Sequence, residues 1–293
     1  MTNTIFLDTP ENFNFKNTIN SHGWSDLLPF ELDEDSNLGF VFTDAETKKP
    51  IYGVISESGG RLAVKLSEQP ASEEKIIKDV RHILRLDDDL SEFYKLVKKE
   101  KSLKWIPKLC AGRLLRSPTV WEDLVKTLCT TNCSWSATKK MTANLVEKLG
   151  EPSKIGKKAF PTAETMANVS ADFYREEIRV GYRAPFFVEL AEAVASGKVN
   201  PEAWLNSGLS GKDLKKEMKK IKGVGDYAAE NLLKLVGNYE GLALDSWVRA
   251  QFYKKHNNEA VCDDKEIVKF YERFGNWRGL AVWCDMTERW FDV

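Results

Sequence analysis

The sequence predicts an α+β fold, with a small antiparallel β domain over residues 1–70 and an all-helical region over residues 71–293. Two observations support this prediction. Near the start of the chain, short runs rich in β-branched and aromatic residues alternate with polar or glycine-containing turns. From Ala71 onward, apolar residues recur instead at intervals of three and four, as they do on one face of a helix.

The β domain is predicted from three runs, Phe40–Phe42, Ile51–Ile55 and Leu62–Leu66, separated by DAETKKP and SESGG. Turns this short join antiparallel neighbours, so the runs should form one sheet. A helix is expected near Phe13–His22.

Start signals divide the helical region. Thr119 and Glu122 form a T-x-x-E capping box after Ser117 and Pro118, which predicts a helix that ends near Cys129–Cys133. The next helix should close on Gly150. Ser210 and Asp213 form an S-x-x-D start signal for a further helix, and Asp263 should cap a later one. The aromatic residues of the last helices have helical spacing and are mostly core, with one or two left open for a pocket mouth: Phe270, Phe274, Trp277, Trp283 and Trp290.

Composition excludes several classes of protein. Of the 293 residues 42% are hydrophobic, no apolar run could span a membrane, and the first residues do not read as a signal peptide. Five scattered cysteines, an odd number, indicate a reducing compartment. The net charge of −1 gives no overall attraction to nucleic acid, but charge is segregated into acidic runs and a lysine-rich stretch over residues 212–222.

The stretch Leu214–Arg249 organises the rest of the chain. It predicts a helix, a tight Gly223-Val224-Gly225 hairpin, a second helix that Gly237 ends, and a third helix directly after Asp245. A hairpin that opens onto a helix N-terminus presents backbone N–H groups, which suits a DNA phosphate. Taken alone, each feature is more typical of an ordinary helical hairpin with a solvated lysine face, since Gly-x-Gly is a common turn signal.

In combination, the G-V-G hairpin, an aspartate roughly twenty residues later, a small residue and "VR" resemble the helix-hairpin-helix (HhH-GPD) DNA glycosylase superfamily. The resemblance is closest to the branch of 3-methyladenine DNA glycosylase II and the 8-oxoguanine glycosylases. It implies two helical lobes within residues 71–293 and an active-site cleft between them. It also implies that Asp245 is the catalytic carboxylate, a role compatible with a plain helix N-cap because the helix dipole favours the ionised form.

The resemblance implies DNA contacts elsewhere. Gly223, Val224, Gly225 and Lys222 would hold the strand at the hairpin. Asn132, in "CTTNCSW", matches the residue that fills the gap left by an extruded base, although a plain inter-helix turn is equally consistent. Arg183, in "GYRA", matches an arginine that reaches the orphaned base or a phosphate, and a surface loop arginine is the alternative.

Tyr227 stands where members that also cut the strand carry a lysine, two residues after the second hairpin glycine. The resemblance therefore implies a monofunctional enzyme that leaves an abasic site. Tyr227 and Trp247 are candidates for a base pocket, since electron-rich rings stack on cationic alkylated purines, while core packing is the alternative for both. Asp226 departs from the pattern, because a carboxylate beside the hairpin suits a phosphate poorly.

We expect no metal and no iron–sulfur cluster, since Cys262 and Cys284 lack the spacing of the four-cysteine loop that some members carry. A monovalent cation at the hairpin is left open. The expected partner is double-stranded DNA containing damaged bases, with no membrane partner, and we expect a monomer. The expected location is the cytoplasm, associated with the nucleoid, or the nucleus, and not outside the cell.

Three functions follow. The first is excision of alkylated purines such as 3-methyladenine and 7-methylguanine in base excision repair, and the second is excision of oxidised purines. The third is a non-catalytic helix-hairpin-helix DNA-binding protein, whose DNA affinity would survive Asp245→Asn and which would release no base.

Overall fold

The computed structural model describes residues 3–291 and confirms the α+β fold. The amino-terminal part forms a five-stranded antiparallel sheet with the order β1-β5-β4-β3-β2. Its strands are β1 Thr4–Leu7, β2 Glu31–Leu32, β3 Leu38–Thr43, β4 Pro50–Ser58 and β5 Arg61–Leu66. The three predicted runs are the central strands, whereas the two edge strands are too short to give a pattern. Helix α1, Phe15–Ile19, lies in the predicted region and is followed by a 3-10 turn at Gly23–Asp26.

The rest of the described chain is helical. Its first helices are α2 Glu73–Ile83, α3 Ser91–Val97, α4 Trp105–Lys108, α5 Val120–Thr130, α6 Trp135–Leu149, α7 Ala163–Ala167 and α8 Ala171–Phe173. The later helices are α9 Ala184–Ala195, α10 Gly211–Met218, α11 Asp226–Leu235, α12 Ser246–His256, α13 Asp264–Tyr271 and α14 Arg278–Thr287. Within residues 3–291, no helix has the length and apolar character needed to cross a bilayer.

The predicted start signals cap their helices. Thr119 accepts a hydrogen bond from the Glu122 backbone at the start of α5, and Ser210 does the same for Asp213 at the start of α10. Asp263 accepts from the Lys265 backbone ahead of α13. Because each side chain satisfies an N–H group that the helix leaves unpaired, these short sequences fix where each helix begins.

Three apolar cores hold these elements together. The sheet core includes Ile76, Val80 and Ile83 of α2, so as a packing unit the first domain extends beyond the predicted boundary at residue 70. A second core is built from the helices between α5 and α11, inclusive, and defines one helical lobe. A third core combines α3 and α4 with α12 to α14 and defines the other lobe.

A cluster of buried arginines lies where the three units meet. Arg85 donates to the backbone carbonyls of Lys234 and Leu235, both at 2.6 Å, at the end of α11. Arg116 donates to the Leu235 carbonyl as well, at 3.1 Å. Positive charge is favourable at a helix C-terminus, so this cluster fixes the end of the helix that follows the hairpin.

Candidate active site

A cleft of about 1480 Å³ opens between the two helical lobes. Most of the lining of this interlobe cleft comes from three parts of the chain: the segment around α1 and the Gly23–Asp26 turn, the α5–α6 turn with the hairpin and α11, and the loop before α12 with the end of the chain. Tyr182 and Phe186, around the start of α9, also contribute. The cleft brings together Asp245, Gly223, Gly225, Asn132, Tyr227 and Trp247. Sequence reasoning had placed these residues at one site on the basis of the resemblance alone.

Asp245 caps α12 from the side of the cleft. One carboxylate oxygen accepts a hydrogen bond from the Val248 backbone at 2.7 Å, which leaves the other oxygen available to a ligand. The loop before Asp245 contains Ala243 in a left-handed conformation with φ of 54°. Two charged side chains of α11 fix this loop, because Glu230 accepts from the Ala243 backbone at 2.6 Å and Lys234 donates to the Leu242 carbonyl at 3.0 Å.

The hairpin has one glycine that the fold requires and one that leaves room for a strand. Gly223 has φ of 89°, and a Cβ atom there would lie 2.8 Å from the Phe186 ring. Gly225 is extended, with nothing within 4 Å of such an atom, and it starts α11 without a side-chain cap. The first N–H groups of α11 are therefore open to an anion. Val224 is buried, so only its backbone could reach DNA.

The lysine-rich approach to the hairpin is less basic than the sequence predicts. Lys222 is exposed and lies 3.3 Å from Glu189. Four other lysines pair with nearby carboxylates, as in Lys215–Glu230, Lys216–Asp213, Lys219–Asp226 and Lys220–Glu217. Asp226, the residue that departs from the family pattern, accepts from both Lys215 and Lys219 at 2.9 Å. Apart from the half-buried Lys215–Glu230 pair, these pairs are exposed and weak, so an incoming phosphate could displace them.

Asn132 projects at the tip of the α5–α6 turn. It is exposed and left-handed, with φ of 47°, and its amide donates to the Tyr182 hydroxyl at 3.2 Å. The Tyr182 ring is 58% exposed and also lines the cleft. Tyr182 was not predicted, although an exposed aromatic residue in a turn is the signal that could have found it.

Arg183 is buried and does not line the cleft, whereas "GYRA" had left open a DNA contact or a surface loop position. Its side chain is only 6% exposed. The guanidinium donates to the Thr131 hydroxyl at 3.1 Å and to the Val180 carbonyl at 3.3 Å, and it lies 4.7 Å from the Tyr182 ring centre. Arg183 therefore supports the Asn132 turn and the Tyr182 ring from behind.

Aromatic rings form much of the cleft wall. Trp247 packs against Trp283 and Trp290, with ring centres 6.0 Å and 5.5 Å away. Of the five aromatic residues noted in the last helices, Trp283 and Trp290 line the pocket, and Trp283 also packs against the third core. Tyr227 lies in the same cleft, where burial raises the pKa of its hydroxyl and the nearby Asp245 charge raises it further.

The amino-terminal domain supplies another part of the wall, which sequence reasoning missed. Gly23 packs so closely on the Trp135 ring that a Cβ atom would come within 2.3 Å of it. The Trp24 indole donates to Asp123 at 2.7 Å, and Trp283 donates to the Ser21 carbonyl at 2.9 Å. These contacts attach the Gly23–Asp26 turn to both helical lobes.

Two further polar side chains line the cleft. Burial lowers the pKa of His22 to about 4, so its ring is neutral near pH 7. Burial also lowers the pKa of Lys234 to about 8, although the charges of Glu230 and Asp245 oppose this shift. In the part of the chain that the structure describes, no group of three or more His, Cys, Asp or Glu side chains could hold a metal ion.

Comparisons with known proteins match this architecture. Residues 125–288, more than half of the chain, match the family described as HhH-GPD superfamily base excision DNA repair protein. A DNA-3-methyladenine glycosylase of Bacillus subtilis (strain 168) is 25% identical over 164 residues, which cover 55% of this chain. That match spans 54% of the relative, about half of its length.

Solved structures share the fold along almost the whole chain. The 3-methyladenine DNA-glycosylase of Archaeoglobus fulgidus superposes with a TM-score of 0.76 at 18% identity, covering 99% of both chains. The 8-oxoguanine glycosylase/lyase of Clostridium acetobutylicum superposes with a TM-score of 0.77 at 21% identity, covering 98% of this chain and 96% of that one. At these identities the likeness establishes the fold alone.

Proposed function

This chain belongs to the HhH-GPD superfamily of base excision DNA repair proteins, and on that premise we propose that it is a DNA glycosylase that removes alkylated purines. Its substrate would be double-stranded DNA containing a damaged base, which the enzyme binds as a monomer. Cleavage of the N-glycosidic bond by water would leave an abasic site.

The observation that carries this proposal is the position of Asp245. The carboxylate lies in the same cleft as the open N-terminus of α11 and the exposed Asn132. A phosphate at the hairpin and an amide in the gap left by the base would hold an extruded nucleotide in the cleft. The carboxylate oxygen that the helix cap leaves available would then face the sugar.

The chemistry needs a negative charge at that point. Breaking the N-glycosidic bond develops positive charge on the deoxyribose, and a fixed carboxylate stabilises that charge in the transition state. The same group can orient the attacking water or accept its proton. Because the Val248 N–H and the clamped loop hold Asp245 in place, little reorganisation is needed when the charge develops.

The aromatic wall supports alkylated purines as the substrate. N-alkylated purines carry positive charge, and the faces of Tyr227 and Trp247 attract cations. The name of the Bacillus subtilis relative is consistent with this choice.

Tyr227 also supports the absence of strand cleavage. A tyrosine stands where the resemblance places the lysine that forms a Schiff base with the sugar. The two competing hypotheses remain an oxidised-purine glycosylase and a DNA-binding protein without catalysis, and one experiment separates all three.

The test measures base release from duplex DNA treated with a methylating agent and from an oligonucleotide containing 8-oxoguanine. We expect release of methylated purines by chromatography, with strand breaks only after alkali and no complex trapped by borohydride. Asp245→Asn should lower the rate by about 10²–10³-fold, the cost of losing one electrostatic group in an active site. Since Asn caps helices as well as Asp does, the free energy of unfolding should change by less than about 0.5 kcal/mol.

Asp263→Asn is the matched control, because Asp263 caps α13 outside the cleft, and it should leave base release unchanged. Release of 8-oxoguanine with a trapped complex would support the oxidised-purine alternative. Release of no base, with DNA affinity that Asp245→Asn leaves intact, would show a binding protein.

A further inference from the structure

Lys234 and His22 line the interlobe cleft, and the proposed chemistry gives neither of them a contact with the substrate, although Lys234 helps to hold the loop before Asp245. They come from distant parts of the chain, Lys234 from α11 and His22 from the segment before the Gly23–Asp26 turn. Arg85 donates to the Lys234 carbonyl and to the Leu114 carbonyl, and the next carbonyl, that of Leu115, bonds His22, so the two residues lie in the same part of the cleft. We call them the polar pair.

Lys234 is placed to donate hydrogen bonds into the cleft. It follows Tyr227 and Asn231 at helical spacing, and all three line the cleft. The side chain is only 3% exposed, and its ammonium donates to the Leu242 carbonyl. An ammonium has three N–H donors and this bond uses one, so an acceptor from a bound base would lower the cost of burying the others.

His22 is placed to accept. Its Nε2 atom lies 2.5 Å from the Leu115 carbonyl, which can only accept, so Nε2 carries the proton. Burial, with the charges of Arg85, Lys126 and Lys234, keeps the second proton off the ring near neutral pH. The other ring nitrogen, Nδ1, is therefore a lone-pair acceptor.

We propose that the polar pair reads the edge of the extruded purine and selects a 6-oxopurine over a 6-aminopurine. A 6-oxopurine presents a carbonyl oxygen next to a ring N–H, which matches a donor at Lys234 and an acceptor at His22. A 6-aminopurine presents the reverse, so a donor would face a donor and a lone pair would face a lone pair. Sites built to hydrogen-bond one partner reject the mismatched one strongly.

This inference rests on the proposed function and specifies which alkylated purines the enzyme would prefer. Among methylated purines, 7-methylguanine is a 6-oxopurine and 3-methyladenine is a 6-aminopurine. Both carry positive charge, so the aromatic wall and the Lys234 charge act on both. A comparison of these two lesions therefore tests the hydrogen-bonding edge of the purine separately from its charge.

The experiment follows release of both bases from the same methylated duplex, each rate divided by its spontaneous rate of release. The unmodified protein should prefer 7-methylguanine. Lys234→Met keeps the length of the side chain and removes the donors, and it should lower that preference at least tenfold. This factor corresponds to about 1.4 kcal/mol, within the worth of a hydrogen bond to a charged group. Lys65→Met, at an exposed position of β5, should leave the preference unchanged.

His22→Phe tests the acceptor independently and decides the matter if Lys234→Met fails to fold, as judged by thermal unfolding. It should shift the preference in the same direction. Equal corrected rates for the two bases in the unmodified protein would overturn this inference and leave the proposed function intact. A uniform loss for both bases in a folded variant would show that the residue only supports the cleft. Release of neither base by the unmodified protein would overturn the proposed function itself.

Discussion

The carboxyl group of Asp123 shows how much one buried residue can contribute to the cleft. It accepts from the Trp24 indole at 2.7 Å and from the Ser117 backbone at 2.9 Å, so it attaches the Gly23–Asp26 turn to α5. Burial raises the pKa of Asp123 to about 6 despite both hydrogen bonds, which favour the ionised form. The surroundings of Asp123 therefore disfavour the ionised form of its carboxyl group.

This shift predicts a specific pH dependence. The folded-state pKa exceeds the ordinary value of 3.8, so Asp123 contributes stability that is fully present below about pH 4 and is lost as the pH rises through about 6. Asp123→Asn can keep both acceptor bonds but does not titrate. The free energy of unfolding of the variant relative to the unmodified protein should therefore rise between pH 4 and pH 7, by up to about 3 kcal/mol.

Urea unfolding at several pH values measures this difference, and the other titrating groups cancel in it. Asp44→Asn is a control of opposite sign, because backbone N–H groups of Thr47 and Ala71 lower the pKa of Asp44 to about 2. That variant should be less stable than the unmodified protein throughout pH 4–7. A flat difference for Asp123→Asn would contradict the prediction.

Single residues also show where sequence reasoning fails. The "GYRA" turn was correctly singled out, but the exposed residue is Tyr182 and the buried one is Arg183. Arg183 is buried because its guanidinium reaches Thr131, more than fifty residues earlier in the chain. Exposure of a loop residue depends on such distant partners, which no local pattern contains.

At the scale of elements, local signals were enough. The caps at Thr119, Ser210, Asp245 and Asp263 form with the residues that the sequence indicated. Their chemistry acts within three residues, so tertiary structure adds little to it. Strands β1 and β2 were missed for the converse reason, because they are short and their pairing is with residues far along the chain or across a turn.

The hairpin predicts a contrast between its two glycines. Gly223→Ala would force a left-handed backbone and press a methyl group on Phe186, so it should lower the free energy of unfolding by about 1–3 kcal/mol. Gly225→Ala meets no neighbour, so it should change stability by less than about 1 kcal/mol. The added methyl group should nevertheless weaken DNA binding, since it projects into the space that a phosphate would occupy.

Chemical denaturation and the affinity for an abasic-site duplex measure the two effects. Gly156→Ala, at another open glycine outside the cleft, is a control for the backbone strain of a positive φ without loss of DNA affinity. Equal DNA affinity for Gly225→Ala and the unmodified protein would show that the hairpin does not approach the strand there.

At the scale of the whole molecule, Arg85 links units that are remote in sequence. It follows α2 of the sheet unit and donates to Leu114, Lys234 and Leu235 carbonyls at distances of 2.6–2.8 Å. Arg85→Met would take one donor from each of the three carbonyls and the cation from Asp88, although Arg116 would still donate to the Leu235 carbonyl. We expect the free energy of unfolding to fall by about 3–5 kcal/mol, the cost of removing one partner from a buried ionic network.

Arg81→Met is the matched control, because Arg81 pairs with Asp87 at the surface and its loss should cost at most about 1 kcal/mol. Equilibrium unfolding in urea compares the two variants. Similar stabilities for both would show that the buried cluster does not hold the units together.

The composition of the cleft is the part that the sequence could not supply. Asp245, Tyr227 and Trp247 were predicted because they lie in or next to one motif. His22, Trp24 and Lys234 were not, because they become neighbours only when the sheet unit packs on both lobes. A cleft assembled from three packing units has no single stretch of sequence that encodes its shape.

The hydrogen bonds at the base of the cleft also affect how the protein can move. Three hydrogen bonds restrict how far the two lobes can move apart. They join Trp283 to Ser21, Lys234 to Leu242, and Arg85 to the end of α11. We therefore expect the DNA duplex to bend on binding, while the protein changes its conformation little. Flexible pyrimidine–purine steps next to a lesion should then speed its capture, since bending a short duplex costs a few kcal/mol and varies with sequence.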